Sequence, residues 1–240
     1  MPSYKIGTFT TTEDGKGTLV LRSYSPTTIC IDWKGGGVAV ETYSVTNDLT
    51  VCEVTTHAGG ECAIYAYEEK SPLYVFSTNG IKMKDVDLTN MKSLVLVNLT
   101  NSGLTDVKLP DSDDLAELIL DKNNLTDIDL SRYASQLRML SLNNNQLTSF
   151  DASNMQNLLS LAIANNQLTS LKLANPDMYN LEASGNQLTD IDLSKNKGLS
   201  QLFLSNNQLE HIDIKPLRSI VALHIDYNKF RISTLPILKN

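Results

Sequence analysis

Residues 188–209 read LTDIDLSKNKGLSQLFLSNNQL, and this stretch decides the fold of the chain. It ends in the phrase apolar-x-apolar-x-x-Asn-x-Leu, which is formed here by Leu202, Leu204, Asn207 and Leu209. The phrase occurs eight times in the last two-thirds of the chain, and the fixed period predicts a solenoid of stacked turns. The amide position of the phrase falls at Asn79, Ser102, Asn123, Asn145, Asn166, Asn186, Asn207 and Asn228.

Each copy reads as a short strand followed by a sharp bend. Leu118 and Leu120 are expected to point inward and Ile119 outward, because side chains alternate along a strand. The bend leaves inward backbone N–H and C=O groups without partners, and an inward Asn has the donors and the acceptor to satisfy them. The sequence therefore predicts a structural asparagine ladder, in which Ser102 is a shorter substitute. Its members are Asn79, Asn123, Asn145, Asn166, Asn186, Asn207 and Asn228.

The spacing of the amide positions is nearly constant. The first interval, from 79 to 102, is 23 residues, and the others are 20 to 22 residues. We interpret the longer interval as an insertion at Lys82 and Met83. The period lies in the range of leucine-rich repeats, which is 20–29 residues.

Residues 1–70 do not repeat, and they read as short strands separated by turns. They predict a small all-β N-terminal cap domain that packs on the open end of a repeat domain at 71–240, because a solenoid needs a cap there. Ala58-Gly59-Gly60 is expected to be a hairpin turn. The candidate strands are Thr18–Leu21, Ile29–Trp33, Val38–Val40, Leu49–Cys52 and Cys62–Tyr65.

The three cysteines, Cys30, Cys52 and Cys62, all precede the repeats. An odd number cannot all pair within one chain. A disulfide between Cys52 and Cys62 across the expected turn and a set of small buried thiols both remain open. No CxxC pair occurs, so the spacing does not indicate zinc.

Composition excludes some classes of function. The formal charge is −7 over 240 residues, which argues against nucleic acid as a partner because phosphates require clustered Lys and Arg. No apolar run reaches the roughly 20 residues of a transmembrane helix. The first residues lack the pattern of a secretory signal, so the protein is either not exported by that route or is a mature form.

The stretch 188–209 resembles bacterial leucine-rich repeat proteins, in particular internalin-like surface proteins with 21-residue repeats. The segment from Ile31 to Gly37 resembles an Asp-Trp-Gly-Asp-Gly loop that precedes such repeats in surface proteins of gut anaerobes, although Lys34 and Gly36 depart from it. The resemblance implies a right-handed solenoid with a parallel β-sheet on its concave face and a short 3-10 or irregular return side. Some relatives carry a cysteine ladder at an inward position, whereas this chain has Leu120, Leu142, Ile163, Ala183, Leu204 and Ile225 there.

The outward positions of the strands are free to vary, so a binding site is best sought on the concave face. The expected outward column is Val75, Asn98, Ile119, Ser141, Ala162, Glu182, Phe203 and His224, with one flanking column on each side. Exposed Ile119, Met139 and Phe203 are suited to anchor a contact surface. The candidate ligand-binding residues are Ile119, Met139, Ser141, Glu182, Gln201, Phe203, His224 and Asp226.

Two groups of residues that contain aspartate are candidate sites of chemistry. His224 and Asp226 share a face, but catalysis or metal binding needs a third group closer than Glu182, and no serine or cysteine is placed for activation. A return-side column, interrupted by Lys108 and Lys172, lacks the convergent oxygens that calcium requires. We interpret that column as a solvated, charged back face. Its members are Asp87, Asp129, Asp151, Asp192 and Asp213.

The sequence therefore predicts a non-enzymatic binding module without catalytic residues, metal or cofactor. Its expected partner is a protein or glycan. The internalin-like resemblance implies that the module is part of a cell-surface or secreted bacterial protein with a role in adhesion. The chain is expected to be monomeric. The alternative is an intracellular, cytoplasmic or phage-associated scaffold with the same fold.

Overall fold

The computed structural model describes residues 4–34, 41–56, 58–67 and 72–231. The expected strand Val38–Val40, the glycines at 35–37 and the C-terminal segment 234–238 lie outside these residues. The chain forms two compact units, residues 1–124 and residues 125–240, called unit 1 and unit 2 below. The predicted domain boundary near residue 70 stays a prediction.

Unit 1 contains two sheets. The first has the order β4-β3-β6-β1-β8, and the second has the order β5-β2-β7-β9-β10. Alternating burial along β2 and β5 places one face of their sheet in the core, and in β2 Leu19 and Leu21 are fully buried. The strands are β1 (Tyr4–Thr11), β2 (Gly15–Ser23), β3 (Thr27–Lys34), β4 (Glu41–Val45), β5 (Thr50–Thr56), β6 (Glu61–Ala66), β7 (Leu73–Asn79), β8 (Met83–Asp87), β9 (Leu96–Asn98) and β10 (Glu117–Ile119).

The expected hairpin at Ala58-Gly59-Gly60 is wrong, because β5 and β6 do not pair with each other. β5 pairs with β2, whereas β6 pairs with β1 and β3 in the other sheet. Backbone hydrogen bonds instead join the turn to Thr11, which bonds Gly59 and Gly60. Cys52 and Cys62 therefore lie in different sheets, and all three cysteines are buried free thiols. Burial raises the pKa of the Cys52 thiol to about 12.

The first repeat has a different register from the one that the phrase predicted. Phe76 of β7 pairs with Val97 of β9, which in turn pairs with Leu118 of β10. Counting from Phe76, the amide position is Ile81, because Ser102 lies five residues after Val97. The interval from 81 to 102 is then 21 residues, so no insertion is needed. Asn79 is not a ladder residue and its side chain is exposed.

The shift also corrects the expected columns. Ser77, rather than Val75, pairs with Asn98 in the outward column that leads to Ile119. Val75 belongs to the flanking column with Leu96 and Glu117. Leu73, which was expected in that flanking column, is instead fully buried. The strand pairs from Leu96 onward agree with the expected columns.

Asn123 shows how a ladder residue closes a bend. Its side-chain nitrogen donates to the carbonyl oxygens of Leu99 and Leu120, both at 2.9 Å. Its side-chain oxygen accepts from the backbone N–H groups of Ser102 at 3.1 Å and Leu104 at 3.0 Å. One buried amide thus satisfies backbone groups of two successive turns.

The same arrangement recurs in unit 2. Asn166 donates to the carbonyl oxygens of Leu142 at 2.9 Å and Ile163 at 3.1 Å, and accepts from the N–H of Leu147 at 3.0 Å. The residue before each ladder position has a positive φ, which Asn and Gly adopt most easily. This explains the Asn-Asn pairs of the repeats. In unit 2 the left-handed residues are Asn144, Asn165, Gly185, Asn206 and Tyr227.

Unit 2 stacks short parallel strands whose central residues point inward. Leu140, Leu161, Leu181 and Leu202 are fully buried. Within the described residues of unit 2, the return side holds one short 3-10 helix, Ser131–Tyr133, and the paired strands Ser149–Asp151 and Ser170–Lys172. The strands are β11 (Met139–Ser141), β12 (Ser149–Asp151), β13 (Ser160–Ala162), β14 (Ser170–Lys172), β15 (Asn180–Glu182), β16 (Gln201–Phe203) and β17 (Ala222–His224). The predicted leucine-rich repeat solenoid with a parallel sheet is confirmed.

Candidate recognition face

The outward side chains of the parallel strands in unit 2 form three columns, which we call the strand face. Register fixes the columns, since Glu182 pairs with Phe203 and Phe203 pairs with His224. The central column is Ser141, Ala162, Glu182, Phe203 and His224. The flanking columns are Met139, Ser160, Asn180, Gln201, Ala222 and, after the strands, Asn143, Ala164, Ser184, Ser205, Asp226.

The C-terminal end of the strand face holds an aromatic pair. The rings of Phe203 and His224 stack with centroids 5.0 Å apart and planes inclined at 29°. His224 is exposed and Phe203 is half-buried. The pair offers a rigid, partly apolar surface of the kind that anchors protein contacts.

Most polar side chains elsewhere on the strand face are engaged within it. The Asn143 side chain donates to the Ser141 hydroxyl at 3.1 Å and accepts from the Ala164 N–H at 2.7 Å. The Glu182 carboxylate accepts from the Ser184 N–H at 2.9 Å. These groups are thereby held in place by contacts within the face.

Ser205 contacts the acidic residue that follows it in the same flanking column. Its hydroxyl donates to the carboxylate of Asp226, which lowers the pKa of Asp226. A serine therefore lies directly beside this acidic residue. The hydroxyl is bonded to the carboxylate rather than to the His224 ring, so the contact is not that of an activated nucleophile with its base.

The candidate residues are not all brought together. Phe203 and His224 are in contact, and Glu182 lies on the next strand. Met139 and Ser141 lie on β11, four strands from β17 in the order β11-β13-β15-β16-β17, which is about 19 Å at the usual strand spacing. Gln201 and Asp226 are exposed in the two flanking columns, and Ile119 is a half-buried residue of unit 1.

Sequence reasoning missed a further column at the edge of the strand face. Backbone hydrogen bonds link Tyr179 to Ser200 and Ser200 to Val221, so each precedes its strand at the same position. Tyr179 is 45% exposed and Val221 is 87% exposed. Tyr227, just after Asp226, is 78% exposed. Tyr179 and Val221 could have been identified from the sequence, because each lies directly before a strand at a position that recurs with the repeat.

The return-side aspartates have a local structural role. In Asp87, Asp151 and Asp192, a carboxylate oxygen accepts the backbone N–H of the residue two positions later, at 2.9–3.1 Å. This is an Asx-turn, and the Asp-x-Ser/Thr spacing signals it in the sequence. Asp129 and Asp213 accept from the N–H groups of Ser131 and Lys215 in the same way.

The two lysines of the column each meet one aspartate. Lys108 Nζ lies 3.3 Å from Asp87 Oδ2, and Lys172 Nζ lies 3.4 Å from Asp151 Oδ2. Hydrogen bonds from the Ser153 hydroxyl and N–H, together with Lys172, hold the pKa of Asp151 below its usual value. The Ser194 hydroxyl and N–H do the same for the pKa of Asp192. In the described ranges no three His, Cys, Asp or Glu side chains are grouped to hold a metal ion.

We expect acid to destabilise the protein through these turns. The pKa of Asp151 and of Asp192 is lower in the folded state than in the unfolded state. Their contribution to the stability of the folded protein is therefore present above the unfolded pKa of about 4, and it is lost as the pH falls through the folded pKa. Urea unfolding at pH 6 and pH 3 should show a lower midpoint in acid. The double variant Asp151→Asn/Asp192→Asn keeps an oxygen for each turn, and its midpoint should fall less; an equal fall would contradict this role.

In the described part of the chain, no helix has the length and hydrophobicity needed to span a bilayer.

No family model and no curated protein sequence matches this chain. Solved structures from Listeria monocytogenes are similar to it. The internalin InlF is 24% identical with a TM-score of 0.50, over 61% of this chain and 52% of InlF. A functional domain of InlJ that includes a cysteine ladder is 25% identical with a TM-score of 0.48, over 62% of this chain and 38% of that domain. The chain thus spans about half or less of the length of these structures.

The InlF match agrees with the features established above. A parallel sheet of three-residue strands, a repeat of about 21 residues and an almost helix-free return side are all present. By its fold, this chain is a leucine-rich repeat solenoid similar to that of the internalin InlF.

Proposed function

We propose that this chain is a non-enzymatic protein-recognition module that binds its partner through the C-terminal end of the strand face. The stacked Phe203–His224 pair is the observation that carries the proposal. Tyr, Phe and other large side chains dominate contact energies because they bury a large area at little entropic cost. Exposed Tyr179 and Val221 at the edge of the same face enlarge the apolar surface.

The charges of the face favour a particular partner. Glu182 and Asp226 border the aromatic pair, so a partner with basic side chains around an apolar patch is complementary. The leucine-rich repeat fold of internalins is consistent with a module of an exported or surface-attached bacterial protein. Extracellular proteins of a host are therefore the partners to test first.

Surface plasmon resonance of the whole chain against a panel of such extracellular proteins tests the proposal. For a protein that binds, Phe203→Ala should raise Kd about 30-fold, since truncating a contact anchor costs about 2 kcal/mol. His224→Ala should weaken binding in the same direction. Ser170→Ala, at an exposed position on the return strand β14, is the matched control and should leave Kd within about twofold.

Far-UV circular dichroism of each variant separates lost binding from lost folding. Ile119→Ala tests the outward column of unit 1 in the same assay. Unchanged binding by both Phe203→Ala and His224→Ala would show that this end of the strand face is not the binding site.

A further inference from the structure

A second candidate site lies in unit 1, and it does not depend on the proposed protein-binding face. A pocket of about 500 Å³ opens on the outer face of the second sheet, where strands β2, β5 and β7 run side by side. Its volume lies within the range of small-ligand pockets, which is about 300–1,000 Å³. Its polar side chains are those of Lys16, Thr18, Glu53, Thr55 and Asn79.

Strand register brings these side chains to one face. Thr18 of β2 pairs with Glu53 of β5 on one side and with Asn79 of β7 on the other. Lys16 pairs with Thr55 two residues along. The intervening residues of β5 are buried, so the lining residues all face outward.

The floor of the pocket is rigid. β2 is hydrogen-bonded on both edges, which fixes the spacing of the side chains above it. A Cβ at Gly17 would lie 2.5 Å from Ile81 Cγ1 and 2.8 Å from the Asn79 carbonyl oxygen, so the strands pack as closely as glycine permits. A ligand would therefore meet side chains that are mounted on a fixed backbone.

The polar groups of the pocket are uncommitted. Within the described ranges, the Lys16 ammonium, the Glu53 carboxylate and the Asn79 amide make no hydrogen bond or ion pair with the rest of the protein. The neighbouring Asn98 behaves differently, because its side-chain oxygen accepts from the N–H and hydroxyl of Thr100 at 3.0 and 2.7 Å. The pocket is thus a place where donors and acceptors remain available to a ligand.

The chemistry of these groups selects among ligands. One carboxylate is too few for calcium, which takes six to eight oxygen ligands. Lys16 beside Glu53 gives no net charge, so neither a simple anion nor a simple cation is favoured. A ligand with many hydroxyl groups suits these polar side chains, because each hydroxyl can both donate and accept a hydrogen bond. Hydrogen bonds from the hydroxyls to the charged Lys16 and Glu53 side chains are stronger than those between neutral groups.

We propose that this pocket binds a sugar residue of a neutral glycan. Glu53 accepts from sugar hydroxyls, Lys16 donates to them, and Asn79 does both. The open side of the pocket leaves room for the rest of a saccharide chain.

NMR titration tests the proposal, with 1H–15N correlation spectra of the whole chain as the readout. The ligands are the methyl glycosides of glucose, galactose, mannose and N-acetylglucosamine and their neutral disaccharides. At least one sugar should shift the backbone amides of Thr18, Glu53 and Thr55. Glu53→Gln and Asn79→Ala should each raise its Kd about tenfold, as expected for one lost charge-assisted or amide hydrogen bond of about 1.4 kcal/mol. Glu61→Gln, at an exposed position of β6 in the other sheet, should leave Kd unchanged.

Free glycine and alanine serve as zwitterionic competitors in the same titration. Shifts at the pocket from the amino acids but not from the sugars would overturn the proposal. So would an absence of shifts with every sugar, or sugar shifts that survive both Glu53→Gln and Asn79→Ala in variants with wild-type dichroism spectra.

Discussion

Replacing Asn123 with alanine should lower the free energy of unfolding by about 3 kcal/mol, because each buried backbone group left without a partner costs about 1–3 kcal/mol. Asn123 is 5% exposed and serves backbone groups of two turns. Asn79→Ala, at an exposed position, should cost less than about 0.5 kcal/mol. Urea unfolding followed by the fluorescence of Trp33, the single tryptophan and a buried residue of unit 1, measures both.

The comparison tests the register of the first repeat directly. The phrase in the sequence makes the two asparagines equivalent, whereas strand pairing places Ile81, and not Asn79, at the ladder position. Equal losses of stability in the two variants would contradict the pairing of Phe76 with Val97.

Asn123→Asp provides a further check of the ladder. Its carboxylate would face the carbonyl oxygens of Leu99 and Leu120, so the variant should be more stable at pH 5 than at pH 7.

Gly198→Ala should destabilise unit 2 by about 2–3 kcal/mol, the usual cost of forcing an atom into a packed site. Its Cβ would lie 2.6 Å from the carbonyl oxygen of Pro176 and 3.2 Å from that of Met178. Both are backbone atoms of the preceding turn, so the clash cannot be relieved by a side-chain rotation. For a chain of this length the unfolding midpoint should fall by about 4–12 °C.

Gly15→Ala is the matched control, because the nearest atom to its Cβ would be the Thr56 hydroxyl oxygen at an ordinary 3.6 Å. Far-UV circular dichroism during heating measures both variants. A Gly198→Ala midpoint equal to that of Gly15→Ala would mean that successive return segments pack less closely than the structure shows.

The repeats were predictable because every position recurs. Once Leu202, Leu204 and Asn207 are assigned to inward positions, the same assignment holds at every other copy except the first. The register of the first copy was predicted wrongly, because side chains alternate along a strand with a period of two residues. A register error of two residues therefore keeps every inward side chain inward. The interval of 23 residues, where the others are 20 to 22, was the signal of this register error in the sequence. The pairing of Phe76 with Val97 establishes the correct register.

The N-terminal strands were harder to assign than the repeats. Cys52 and Cys62 are close in sequence, yet their strands join different sheets, because β5 finds its partner in β2 rather than in the next strand of the chain. The contact of Phe203 with His224 followed from the period, since stacked turns place like positions side by side. Tyr179 and Val221 precede their strands, so a reading limited to strand positions could not include them.

The hydrogen bonds of the asparagine ladder have a consequence for the evolution of such chains. Asn166 finds its partners in its own turn and in the one before, as Asn186 does in unit 2. A duplication or deletion of one repeat-length piece of the gene would therefore give each amide an equivalent set of partners. Recombination can lengthen or shorten the array without redesigning its interior, while the outward residues of each gained copy diverge freely.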